Sequence, residues 1–129
     1  MVVYFISGHL DVTEEEFSKH YAPLIKKAID NKDTFVVGDC RGADAMAQKY
    51  IKDHGGKAVV FHMFKSPRNN CGFPTKGGYK TDEERDAAMT RNSDCDIAWI
   101  RKGREKSGTA KNLKRRNANK STRTEKKNT

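Results

Sequence analysis

The sequence predicts an α/β fold, a Rossmann-like three-layer sandwich with a parallel sheet of about four strands. Three observations predict it. Four short, mainly apolar runs, at Val2–Ile6, Thr34–Val37, Ala58–Phe61 and Asp96–Ile100, lack the polar alternation of a half-exposed strand. Segments of helical periodicity lie between them, as crossovers between parallel strands require. Glycine-bearing turns close the first two runs, at Ser7-Gly8 and at Gly38.

The elements follow in order. After Val2–Ile6, Thr13 opens a helix with Glu16 three residues on, a capping box. Phe17, Tyr21, Leu24, Ala28 and Ile29 fall on one stripe of it, and residues 31–33 end it. The strand Thr34–Val37 stops at Gly38. The next helix starts near Gly42 or Ala43, carries Ala43, Met46, Ala47, Tyr50 and Ile51 on one face, and ends at Gly55-Gly56. After the strand Ala58–Phe61, residues 65–80 hold two prolines, three glycines and two asparagines, which reads as a long excursion loop. Arg68, Lys76 and Lys80 lie in it and make it a candidate lid over phosphate. Thr81 and Glu84 open a further helix, and Asp96–Ile100 is the fourth strand. A last helix runs from Gly108 to about Asn117.

Length and charge narrow the class. The 129 residues form one domain at 1–116 and a basic tail at 117–129 that has almost nothing to bury and is expected to be disordered. The net charge of +9 is not spread over the chain: residues 101–129 carry +10 and residues 1–100 carry −1. No run approaches the ~18 apolar residues of a membrane span. The N-terminus lacks the basic start of a secretory signal. Cys40, Cys71 and Cys95 are odd in number and widely spaced, which suits neither disulfides nor zinc. A cytoplasmic protein with no metal, no cofactor and no membrane partner is expected, and a homo-oligomer is compatible with the sequence.

The chemistry concentrates in the turns. In a parallel sheet the C-terminal ends of the strands share an edge, where ligands bind near a reversal of strand order. Ser7-Gly8, the segment Gly38-Asp39-Cys40-Arg41-Gly42-Ala43-Asp44 and Ser107-Gly108-Thr109 all fall at that edge. Glycine lets backbone N–H groups approach an anion, and the following helix N-terminus adds positive potential. Ser7, Gly8, Gly38, Arg41, Gly42, Ala43, Asp44, Ser107, Gly108 and Thr109 are therefore the candidate phosphate-binding residues. Asp11, Asp39, Asp44 and Asp86 are further groups able to carry chemistry, although no spacing singles one out. His9 reads as a solvated loop histidine and Trp99 as packing. His20, His54 and His62 make no metal-ligand spacing with the cysteines.

Gly38 to Asp44 after a buried strand, then Ser93-Asp94-Cys95-Asp96-Ile97-Ala98-Trp99 and Ser107-Gly108-Thr109, resemble the SLOG superfamily. That group includes Lonely-Guy phosphoribohydrolases, DprA-type DNA-processing proteins and relatives of nucleoside 2-deoxyribosyltransferases. The resemblance spans about Val2 to Arg116 and is strongest to small stand-alone members. It implies a nucleotide-binding Rossmann-like domain with the three turns around the ligand. In the glycosyl-transferring relatives a catalytic glutamate stands three residues after the threonine of Gly-Thr; here that position is Asn112. An amide is neither a carboxylate nucleophile nor a proton acceptor.

Three functions are carried forward. The first is a binding or sensing module for a nucleotide-derived phosphorylated ligand. The second is a nucleotide-processing enzyme that hydrolyses an N-glycosidic bond or transfers a deoxyribosyl group. The third is a nucleic-acid accessory protein acting through residues 117–129, whose lysines and arginines would contact phosphates without sequence preference.

Overall fold

A computed structural model of the chain describes residues 1–117. The tail assigned to 117–129 lies, apart from Asn117, outside the described residues. Five strands form one sheet in the order β4-β3-β2-β1-β5, and all neighbouring pairs are parallel. They are β1 (Val3–Ser7), β2 (Thr34–Gly38), β3 (Ala58–Met63), β4 (Thr75–Tyr79) and β5 (Cys95–Ala98). The helices are α1 (Glu14–His20), α2 (Ala22–Asp30), α3 (Ala43–Asp53), α4 (Asp82–Arg91) and α5 at residues 108–117.

The continuous apolar runs are explained by burial on both faces. Ile6, Val37, Val60 and Ile97 pack with Phe17, Tyr21, Ile25, Ala28, Ala47 and Ile51 from α1, α2 and α3. Their strand neighbours Phe5, Val36 and Phe61 pack with Ala88 and Met89 of α4 on the opposite face. The side-chain period of two in each strand thus feeds two cores, which makes the three layers. Helix α5 joins the α4 face through Arg116, whose guanidinium donates to the Thr90 and Ser93 carbonyls at 3.1 and 2.8 Å and pairs with Asp96 at 3.2 Å.

Three elements differ from the sequence expectation. The sheet has a fifth strand, β4, inside the expected excursion loop. Its sequence, Thr-Lys-Gly-Gly-Tyr, has no alternating apolar residues, and β4 is exposed at the sheet edge. Pairing with β3 holds it there, with a register shift between Phe61 and Met63. Gly77 lies against the His62 ring, where any Cβ would collide with it. Second, the first helix is broken in two at Tyr21, with proline at the start of α2. The buried stripe nevertheless continues across the break through Phe17, Tyr21, Ile25 and Ala28, so Ile25 is buried where Leu24 was expected, and Leu24 is exposed. Third, β5 stops at Ala98 because the Trp99 N–H is taken by the Tyr21 hydroxyl at 3.1 Å instead of a strand partner. Both threonine caps form as expected: Thr13 and Glu16 make a full capping box, and Thr81 accepts from the Glu84 N–H. Among the described residues no helix is long and apolar enough to cross a membrane.

Candidate functional site

From β1 the chain steps outward through β2 and β3 to β4, and β5 then lies on the other side of β1. The strand order therefore reverses between β1 and β5, and the loops after these two strands diverge at that point. A cleft of about 840 Å³ opens there. Its walls come from the β1 loop (Ser7 to Asp11), from Cys40, Arg41 and Asp44 after β2, from α4, and from the start of α5.

The wall at the β1–β5 junction is set by Tyr21, which sequence reasoning placed only in the core. Its hydroxyl donates to the Ser7 carbonyl at 2.7 Å and accepts from the Trp99 N–H. Burial pushes this phenol up to about 12. Gly8 passes so close that a Cβ would strike the Tyr21 hydroxyl and the Ala43 side chain. The β1 and β5 loops are joined a second time at His9. Its Nε2 accepts the Arg101 N–H at 2.9 Å, and burial followed by the Arg101 charge lowers its pKa. His9 is thus a buried, neutral fastener, not the solvated histidine that its loop position suggested. The Arg101 guanidinium then reaches Asp11 and Glu16 at 3.0 and 2.7 Å.

The floor is an ionic network. Arg85 of α4 is almost fully buried and donates to Asp39 at 2.8 Å and to Asp86 at 3.0 Å, with Asp82 at 3.1 Å. Arg68 forks onto Asp39 through its Nε and NH2 at 3.2 and 2.9 Å, and its backbone N–H adds a third bond at 2.7 Å. Burial opposes ionisation of Asp39, but the Arg68 and Arg85 guanidiniums hold its carboxyl below the usual range. Asp44 is different. It is buried in the first turn of α3 and, among the described residues, pairs with no cation and receives one hydrogen bond, from the Cys40 N–H at 3.2 Å. Burial lifts its carboxyl to about 7, with Arg85 working the other way. It neither holds Arg41 nor caps α3. Burial also raises Asp86, whose Oδ2 meets the Asn112 amide at a long 3.4 Å. Asn112 in turn accepts from Arg115 at 2.7 Å.

Of the sequence candidates, Ser7, Gly8, Arg41, Asp44, Ser107, Gly108, Thr109 and Arg68 line the cleft together. Gly38, Gly42 and Ala43 sit behind its surface. The Gly38 carbonyl accepts from Gln48, and the Ala43 N–H donates to His9 at 3.2 Å. Lys76 and Lys80 do not line the cleft: Lys76 lies over the Phe61 ring on β4, and the Lys80 N–H donates to Glu84. The segment before β4 is fastened rather than open. Gln48 donates to the Asn69 carbonyl at 3.1 Å and accepts the Cys71 N–H at 3.0 Å, and Asn69 donates to the Asp39 carbonyl. At the rim, the Ser107 hydroxyl accepts the Ala110 N–H at 3.2 Å and so caps α5. The Gly108 and Thr109 N–H groups, at the start of the helix, have no intrahelical partner. A Cβ at Gly108 would meet nothing within 4 Å. Arg41, in the loop after β2, also lines the cleft and is exposed without an ion-pair partner among the described residues. No group of three or more His, Cys, Asp or Glu residues among those described is placed to hold a metal ion.

Fold and cleft together define a Rossmann-like α/β protein with an open pocket at its topological switch point. The chain is similar to the X-ray structure of TM1055, a Northeast Structural Genomics Consortium target, with a TM-score of 0.59 and 15% sequence identity. The likeness covers 78% of this chain and 61% of that one. At this identity it establishes the fold. No protein-family model and no curated protein matches the chain.

Proposed function

We propose that this chain is a binding or sensing module for a nucleotide or nucleotide-derived phosphorylated small molecule, held in the switch-point cleft. The observation that carries the reading is the start of α5 at the rim. Two helix-start N–H groups, the Ser107 and Thr109 hydroxyls and an open Gly108 border one wall of the cleft, and Arg41, unpaired among the described residues, lines the same cleft from the loop after β2. Donors, a helix N-terminus and a free guanidinium together suit a phosphate. The resemblance of Gly38 to Asp44 and of Ser107 to Thr109 to the SLOG superfamily supports the same reading. Asn112 favours binding over N-glycosidic cleavage, because its amide is engaged with Asp86 and Arg115 and cannot take a glutamate's place.

Titration calorimetry with ribose 5-phosphate and nucleoside mono-, di- and triphosphates tests it. A Cβ at Gly108 meets no protein atom within 4 Å, so Gly108→Val is expected to fold, which circular dichroism checks, and its side chain to block the phosphate. Thr109→Val removes one hydroxyl and weakens binding by about 0.5–1.5 kcal/mol, or up to about 3 against a charged oxygen. Folded Gly108→Val that binds like the parent, or a parent that binds no probe, refutes the proposal.

A further inference from the structure

A further cavity, of about 670 Å³, lies at the opposite end of the sheet from the switch-point cleft. It opens at the N-terminal ends of β2, β3 and β4, where Thr34, Ala58 and Pro74 border it. Its size is within the range of about 300–1,000 Å³ found for small-ligand pockets. The layout of the helices explains it. Helices α1, α2 and α3 pack on one face of the sheet; α4 and α5 serve the other, and Arg116 ties α5 to Asp96 on β5. The connection from β3 to β4 contains no helix. Helix α4 ends at Arg91, and its cap residue Asn92 stands at the rim of the cavity. Beyond that end the floor is apolar: Val3 of β1, Val36 of β2, and Val59 and Phe61 of β3. Val36 is the register partner of Val59, and both Val3 and Val59 are left half-buried.

The charge around this floor has one sign. Lys52 near the end of α3, Lys57 just before β3 and Lys76 on β4 border the cavity, and no aspartate or glutamate does. None of the three has an ion pair among the described residues. Lys76 Nζ lies 5.8 Å from the centre of the Phe61 ring, and Lys52 Nζ lies 5.4 Å from that of Phe73. A ring face is what an ammonium takes when no carboxylate is at hand. General basicity does not explain the cluster, since residues 1–100 carry a net −1. Nor can the chain fill the cavity itself. Residues 117–129 are basic, and a second copy on a two-fold axis would bring the same three lysines to the same face. The complement is an anion with an apolar body. Its shape is long: β1 and β4 are three strand spacings apart, about 14 Å, with lysines at the β3–β4 end and valine at the β1 end.

We infer that this cavity is a second ligand site, which binds an acyl-chain carboxylate. The carboxylate head pairs with Lys57 and Lys76, and the chain lies across Val59 and Val36 towards Val3. Lys52 adds positive potential from the rim. The site stands apart from the phosphate-binding reading of the switch-point cleft and does not depend on it.

The test is titration calorimetry on the full chain with decanoate, below its micelle concentration, against decanol and acetate. Decanol keeps the chain without the charge, and acetate keeps the charge without the chain. The parent is expected to bind one decanoate, at least about tenfold more tightly than decanol and far more tightly than acetate. Lys57→Gln combined with Lys76→Gln should weaken decanoate at least about tenfold and leave decanol unchanged. Both lysines are exposed, so this variant is expected to fold, which circular dichroism checks. Equal affinity of the parent for decanoate and decanol overturns the recognition of an anion, and equal affinity for decanoate and acetate overturns the apolar floor. Those comparisons need no variant to fold. A folded variant that binds decanoate like the parent overturns the placement of the head, and a parent that binds no decanoate overturns the site.

Discussion

Asp39 and Arg85 are 46 residues apart in the chain and 2.8 Å apart in the fold. Both side chains are nearly sealed from solvent, at 1% and 5% exposure. The pair joins the end of β2 to α4 across the sheet edge and gives the cleft a rigid floor. Arg68 completes it from the segment before β4, so three separate pieces of chain meet on one carboxylate.

Asp39→Ala leaves Arg85 buried without that carboxylate. Breaking one partner out of a buried pair costs about 3–5 kcal/mol. Arg68 adds less, because it is half exposed and solvent screens its charge. Urea unfolding measures the loss, and a change below about 1 kcal/mol would show that Asp82 and Asp86 hold Arg85 unaided.

Asp44 makes stability depend on pH in a definite direction. Its carboxyl ordinarily titrates at 3.8 and is lifted to about 7 in the fold, so the folded protein holds that proton more tightly than the unfolded chain. The group's contribution is complete below the unfolded value and is lost as pH rises towards 7, by at most about 1.4 kcal/mol per unit. Asp39, shifted downward, acts only below that window. Asp44→Asn lacks the effect, so its melting temperature should gain on the parent's between about pH 4 and pH 7. A constant difference across that range contradicts the assignment. Asp86, also raised, stays in both proteins and cancels in the comparison.

Two glycines with positive φ should respond very differently to alanine. Gly42 has φ 76° and ψ −128°, and a Cβ there would run into the carbonyls of His9 and Leu10. Gly55 has φ 71° and open space around it. Gly55→Ala should cost about 1 kcal/mol, the ordinary penalty of left-handed backbone. Gly42→Ala should cost about 3 kcal/mol or more, because strain and collision add. Denaturant unfolding of the two variants checks the ranking, and equal losses would mean that the β1 loop yields freely.

The lysines and arginines within residues 117–129 motivate a separate proposal, a contact with nucleic acid. Removing residues 118–129 should weaken binding to a DNA or RNA fragment and flatten its salt dependence, without altering affinity for a small ligand in the cleft. Gel shifts at several salt concentrations measure this. An unchanged salt slope would assign the charge no such role.

The sequence by itself determined the layers. Continuous apolar runs report burial on both faces, and threonine caps report helix starts, because both signals are local and are read from a few adjacent residues. It also marked the turns that surround the cleft. Only the tertiary structure decided β4, whose glycine-rich residues form a strand because β3 offers a paired edge. It alone decided the roles of Tyr21, His9, Arg85 and Asp44. Tyr21 and His9 read as core and loop residues until the ends of β1 and β5 converge on them. Arg85 lies on a helix with no spacing to Asp39 that a sequence could show. Asp44 is distinguished from the other aspartates by missing partners, and partners are contributed by chain remote in sequence. A buried charge is defined by what surrounds it, and folding assembles those surroundings.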